Sequence, residues 1–220
     1  MRNMNESDGV LIVFTRSPVP GQTKTRLISL LGAEGAAQLH ISLIKHTLKM
    51  ALQSQFCNVE LWCTPTIDHP FLKECTYKFA VKLCVQSGED LGQRMHHALQ
   101  SALARYPFAV LVGSDCPLIS TGILNKAYSV LQEGKDAVLG GSEDGGYYLL
   151  GARKYNPDLF SGIQWQSRNV IEQTRQRLDS FGWYWDELQK LWDVDVPDDL
   201  EKLKKIMPEF FSGFEYYYHR

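Results

Sequence analysis

The run Phe108-Ala-Val-Leu-Val112 is apolar on both faces of any strand it forms. A strand of that kind belongs in the middle of a sheet covered by helices on both sides, because an uncovered face would leave its side chains in water. The rest of the chain fits this demand. Short β-branched or aromatic runs stand at Val10–Phe14, Val59–Cys63, Phe79–Val85, Ala137–Leu139 and Tyr147–Leu150. Helical stripes lie between them. Over Ala33–Gln55 one stripe carries Ala36, Leu39, Leu43, Thr47, Leu48, Ala51 and Leu52, and over Asp90–Tyr106 another carries Leu91, Met95, Ala98, Leu99 and Ala102. Ser120 and Ser167 stand where N-caps belong, ahead of helices over 121–132 and 168–181. Pro197-Asp-Asp199 opens a last helix, with proline in its first turn and acids at its positive end.

Strand–helix–strand alternation through residue 140 predicts an α/β, Rossmann-like, mainly parallel sheet with helices on both faces. The expected organisation is a single domain, with a nucleotide-binding half over about 10–118 and an acceptor-side half over about 119–207. An aromatic tail, 208–220, would pack locally or reach a second copy in a homodimer. Right-handed crossovers would gather the C-terminal ends of the strands at one edge, where ligands bind. A chain of 220 residues can bury roughly 70% of its unfolded surface without a metal or disulfide staple. The net charge of −2 argues against a nucleic-acid or membrane-surface grip. Five scattered cysteines without a Cys-x-x-Cys pair argue against a disulfide scaffold or structural zinc. No apolar run approaches the roughly 18 residues of a membrane span, and the N-terminus lacks a signal-peptide pattern. The expected setting is the cytoplasm.

Five segments carry the candidate chemistry. After the first strand, a loop running to Leu27 offers Gly21 and the cations Arg16, Lys24 and Arg26, suited to phosphates but lacking the second glycine of a Walker loop. Gly113-Ser-Asp-Cys-Pro117 follows the most apolar strand, so Ser114 and Asp115 sit at the ligand edge, where a carboxylate can hold a divalent cation or a ribose hydroxyl. Asp144-Gly-Gly allows either a hairpin turn or close approach of a ligand to the backbone. Asp193 and Asp195 alternate and could share one metal, with a helix cap as the equal alternative for Asp195. Gln86-Ser-Gly-Glu-Asp-Leu-Gly-Gln-Arg94 lets a flat ligand approach at Gly88 and Gly92, with Arg94 for a phosphate or base; the alternative is a capped helix start, with Asp90 as the cap. His96, His97 and Cys116 read as packing residues, and Trp165 and Trp183 as core with a possible stacking role.

Taken in order, Pro18-Val-Pro-Gly-Gln-Thr-Lys-Thr-Arg-Leu27, the segment from Gln86 to Met95, Gly113-Ser-Asp-Cys-Pro117, Asp144-Gly-Gly-Tyr-Tyr-Leu-Leu-Gly151 and Asp193-Val-Asp-Val-Pro-Asp-Asp-Leu200 resemble one bacterial family. It is the DUF2064 group, often described as GT-A-type glycosyltransferases related to nucleotide-diphospho-sugar transferases. The resemblance spans residues 10–204. It implies Asp115 and Asp195 as ligands of Mg2+ or Mn2+, with Asp193 beside them. It further implies Lys24 and Arg26 facing phosphates, Gly88 to Arg94 on the nucleobase side, and Asp144 as base toward a small-molecule acceptor. The implied donor is a nucleotide-sugar. Ser114-Asp115-Cys116 departs from the Asp-x-Asp of typical GT-A enzymes and is nearer to nucleotidyltransferases such as phospholactate guanylyltransferase, which take a nucleoside triphosphate. A nucleotide-binding module without turnover is the non-enzymatic alternative.

Overall fold

The computed structural model describes residues 8–165 and 167–211. Seven strands form one sheet: β1 (Val10–Arg16), β2 (Asn58–Thr64), β3 (Lys82–Val85), β4 (Ala109–Gly113), β5 (Ala137–Ser142), β6 (Tyr147–Ala152) and β7 (Trp185–Leu191). Their order is β3-β2-β1-β4-β6-β5-β7. Six run in one direction, and β6 alone is antiparallel, to both β4 and β5. Among the described residues, five helices connect them, α1 (Ile28–Gln53), α2 (Pro70–Lys78), α3 (Leu91–Leu103), α4 (Thr121–Gln132) and α5 (Val170–Ser180), and α6 (Pro197–Ile206) follows β7. This is the expected α/β, Rossmann-like fold.

Strand alternation divides the core between the two faces. Leu11, Val13, Val110, Val112, Val138 and Leu149 pack with α1, α2 and α4. Val10, Ile12, Phe14, Ala109, Leu111, Leu139 and Leu150 pack with α3 and α5. A third cluster joins Leu27, Leu31, Leu39 and Leu43 to Trp192, Val194, Leu200, Leu203 and Phe210. It draws the segment after β7 against the start of α1. The chain leaves β1 in one direction through β2 to β3, then returns across β1 to β4. The β1/β4 pair is therefore the switch point of the sheet, and a crevice opens beyond its C-terminal ends.

Several boundaries differ from the sequence reading for local reasons. Phe79 ends α2 and Ala80 has φ 50°, so the run expected from Phe79 pairs only from Lys82 onward. Helix α2 and strand β7 carry no clean apolar period, so local sequence does not announce them. Helix α1 begins five residues early but breaks at Gly32 (φ 68°, ψ 170°), so its regular part starts where the stripe does. Ser120 caps α4 as expected, accepting from Ile123 N at 3.3 Å. Asn169, not Ser167, is the N-cap residue of α5, and no side chain caps that helix. The segment Thr25–Gln53 is long and apolar enough to cross a membrane by length and composition, with mean hydropathy 1.4 over 18 residues. Here half of that stretch is buried in the protein. The tail residues Phe214 and Tyr216–Tyr218 lie outside the described residues; Phe210 is buried against the third cluster.

Ser120→Ala is expected to cost about 1 kcal/mol, roughly 2–4 °C in Tm for a chain of this size, measurable by thermal melting.

Candidate functional site

The loop after β1 places its cations differently from one another. Lys24 adopts a left-handed backbone (φ 50°), which turns its side chain inward until it is 4% exposed. Its Nζ lies 2.8 Å from Asp115 Oδ1 and donates to the Val194 carbonyl at 2.6 Å. Arg26 pairs with Asp195 at the surface. Arg16 lines the crevice. Gly21 has φ 79° in an open position. Lys24 and Arg26 thus have carboxylate partners in this structure, and Arg16 is the cation of this loop that faces the crevice.

Asp115 stands just past β4, where Ser114 N donates to Phe14 O at 3.1 Å and Val194 N donates to Asp115 O at 2.9 Å. These bonds lock the end of β4 to β1 and to the segment after β7. The Asp115 side chain is 48% exposed, yet its Oδ1 is buried, so the other oxygen faces the crevice. Burial alone would raise its pKa. Lys24 and His40 outweigh that and hold the carboxyl well below the usual range. Helix capping makes no claim on it, since Ser120 does that work.

Asp193 lines the same crevice. Burial and the Asp115 charge push its pKa up to about 7, with Asp144 adding to the effect and Ser142 opposing it. Ser142 Oγ lies 2.5 Å from Asp144 Oδ1 and 3.0 Å from Asp193 Oδ2. A hydroxyl has one proton, so both contacts are hydrogen bonds only if one carboxyl brings its own. Asp144 sits in the β5–β6 hairpin and accepts from Gly146 N at 2.9 Å, so the hairpin reading holds and the carboxylate still faces the crevice. Gly145 is required there: it has φ 94°, and a Cβ would meet Arg168 O at 2.0 Å. Asp193 and Asp195 do not act on one partner. Asp199 caps α6 through Asp195 N (2.9 Å) and Val196 N (2.8 Å), which leaves the Asp195 carboxylate to Arg26.

Two adjoining cavities of about 260 and 380 Å3 form the crevice and share Phe14, Leu91, Gly113, Tyr147, Tyr148 and Asp193. The larger contains Arg16, His40, Gln86, Arg94, Ser114 and Asp115. Gln86 Nε2 donates to Thr15 O (3.0 Å) and Trp62 O (2.8 Å), which fixes the amide. Arg94 Nε donates to Gly88 O at 2.9 Å and so braces the glycine turn. Asp90 caps α3 through Gln93 N at 2.7 Å. The smaller cavity holds Met95, Ser142, Asp144, Trp165 and Ser167. A Cβ on Gly92 would meet Trp165 Nε1 at 2.4 Å, so this glycine lets the indole lie on α3. His96 bonds Tyr155, His97 packs on Trp62 and Trp183 on Phe181. Burial pushes the Cys116 thiol up and away from nucleophilic use. His40, Thr15 and Ser142 are site residues that the sequence reading did not single out.

Among the described residues, no three His, Cys, Asp or Glu side chains gather into a complete protein-only metal site. The donors that face the crevice, Asp115 and Asp193, are hard oxygens. One or two carboxylates completed by substrate phosphates is how Mg2+ is commonly held, so the donor set fits Mg2+ or Mn2+ in the presence of a phosphate ligand.

A family model described as an uncharacterized protein conserved in bacteria (DUF2064) matches residues 47–167. None of the curated proteins matches the sequence. Among solved structures, a Desulfovibrio desulfuricans G20 protein provisionally designated a nucleotide-diphospho-sugar transferase is 31% identical. It covers 97% of this chain and 93% of its own, with a TM-score of 0.81. The inositol-1-phosphate CTP transferase from T. maritima is 13% identical, with 94% and 98% covered and a TM-score of 0.61. A Mycobacterium tuberculosis H37Rv protein solved with manganese is 16% identical, with 90% and 99% covered and a TM-score of 0.51. The last two share the fold.

Proposed function

The chain belongs to the DUF2064 family, and from that membership and the chemistry of its crevice we propose a metal-dependent transferase that glycosylates a small-molecule acceptor from a nucleotide-diphospho-sugar. The observation that carries this reading is the Asp115/Asp193 pair at the switch point, where burial and the repulsion of the Asp115 carboxylate together raise the Asp193 pKa to about 7. A divalent cation relieves that repulsion and is attracted by it. Asp115, through its outer oxygen, and Asp193 would hold Mg2+ or Mn2+, which supplies charge neutralisation to the departing diphosphate. Arg16 and Arg94 attract phosphates into the same cavity. Gln86 and the turn from Gly88 to Gly92 flank the nucleobase side. The sugar enters the smaller cavity against Trp165, an apolar face suited to the CH side of a sugar ring. Asp144 accepts the proton of the attacking acceptor hydroxyl. Lys24 holds Asp115 and Val194 together, and Arg26 pairs with Asp195 at the rim. Residues 10–118 then form the nucleotide half and 119–207 the acceptor half of one cytoplasmic domain.

A second reading is nucleotidyl transfer from a nucleoside triphosphate, favoured by the single aspartate of Ser114-Asp115-Cys116 where GT-A glycosyltransferases carry two. The products separate the two. Incubation with nucleotide-sugars and with nucleoside triphosphates in Mn2+, each with a sugar-alcohol and sugar-phosphate panel, is expected to release nucleoside diphosphate from a nucleotide-sugar. Pyrophosphate from a triphosphate would establish the second reading. Neither product with any donor would overturn both.

A further inference from the structure

His40 lies on α1 among the leucines of its buried stripe and is itself only 2% exposed. A polar ring there costs desolvation that a leucine would not, unless its nitrogens are used. Nε2 is used: Thr15 Oγ1 and the Arg16 carbonyl both lie 3.1 Å from it. Thr15 Oγ1 is in turn fixed by Ser114 Oγ, which donates to it at 2.9 Å. The ring is therefore pinned to the ends of β1 and β4. Its other nitrogen, Nδ1, has no hydrogen-bond partner among the described residues and faces Asp115 Oδ1 at 3.5 Å. Lys24 Nζ is the second group at that oxygen, 2.8 Å away.

Resting on the reading of Asp115 as a metal ligand, we propose that His40 is the positioning residue of Asp115. The Nδ1 N–H holds the inner carboxylate oxygen, with Nε2 accepting from the Thr15 hydroxyl, and so fixes which oxygen is presented to the crevice. Lys24 supplies charge to the inner oxygen and divides its donors between Asp115 and the Val194 carbonyl. The planar ring, held at Nε2, supplies direction. Carboxylates that bind metals are commonly oriented by such outer hydrogen bonds, whose loss weakens metal binding about 10–100-fold.

The test has two arms. In the first, a double-mutant cycle of His40→Phe and Asp115→Asn is measured by denaturant unfolding without metal. Coupling of about tenfold in the unfolding equilibrium is expected for groups in direct contact. Effects additive within about a factor of two would overturn the proposal. In the second, binding of Mn2+ in the presence of inorganic phosphate is followed by electron paramagnetic resonance of the free ion. His40→Phe is expected to weaken it about 10–100-fold. His40→Asn, whose amide stands level with Nδ1, should restore most of the loss. His40→Gln, which reaches the Nε2 level instead, should not. Should the Phe variant fail to fold, the Gln variant replaces it in both arms with the same expectation. Wild-type affinity in the Phe or Gln variant, or equal affinities for Asn and Gln, would also overturn the proposal. A wild-type protein that takes up no Mn2+ would overturn the metal reading instead, and the cycle would still decide for or against the His40–Asp115 contact.

Discussion

Asp115→Asn is expected to lower turnover by about 10^3-fold, or roughly 4 kcal/mol of transition-state stabilisation, because it removes the fixed carboxylate that anchors the cation at the departing phosphate. It should also destabilise the metal-free protein. The folded pKa of Asp115 is depressed, so its contribution is present above the unfolded value near 4 and is lost as pH falls below it. The asparagine leaves the buried Lys24 ammonium without its counter-charge. Half the side chain is exposed, and with solvent screening the cost at pH 7 is about 1–2 kcal/mol. Steady-state kinetics and thermal melts at pH 7 measure the two effects. Unchanged turnover would remove Asp115 from the reaction.

Asp193→Asn is expected to act in the opposite direction on stability. The folded pKa of Asp193 is raised to about 7, above an unfolded value near 4. The folded state therefore binds the extra proton across that window, and stability falls as pH rises from about 4 to about 7. Above pH 7 the full cost of the buried charge, with the repulsion of Asp115 and Asp144, is felt. The amide removes it, and the metal-free variant should gain about 2 kcal/mol at pH 8, roughly 4–8 °C in Tm, with little gain at pH 4. It should also lose the stabilisation that Mn2+ gives the wild type at pH 8. Opposite signs for Asp115→Asn and Asp193→Asn follow from their partners: one faces a buried lysine, the other faces two acids. A loss of stability at pH 8 in the Asp193 variant would contradict this electrostatic picture.

What was legible in the sequence was whatever depends on near neighbours. The two-sided apolar run at Phe108–Val112 placed β4 at the centre, and Asp115 followed from its position after that strand. The stripes of α1 and α3 and the cap of α4 at Ser120 came from spacings of three and four. What was not legible depends on contacts across the chain. His40 occupies an apolar helix face and gains its role only because Thr15, Ser114 and Asp115 fold against it. Lys24 reads as a solvated phosphate ligand until its left-handed backbone turns it toward Val194, 170 positions away. Asp193 and Asp195 alternate in sequence, but one meets Ser142 and the other Arg26. Strand β7, Trp185-Asp-Glu-Leu-Gln-Lys-Leu191, is largely polar. It is a strand because β5 offers it an edge to pair with, which no local pattern announces.

The crevice is expected to bind a nucleotide diphosphate group through a divalent cation on Asp115 and Asp193. Thermal melting of the wild type with CDP, GDP, UDP and ADP, each with and without Mn2+ at pH 8, tests it most directly. At about 100 times its dissociation constant, the cognate nucleotide should add roughly 2.7 kcal/mol, or about 5–11 °C. That shift should require Mn2+ and vanish in Asp115→Asn and Asp193→Asn. A shift of equal size without Mn2+, or one retained in both variants, would contradict the claim, as would no shift with any of the four nucleotides.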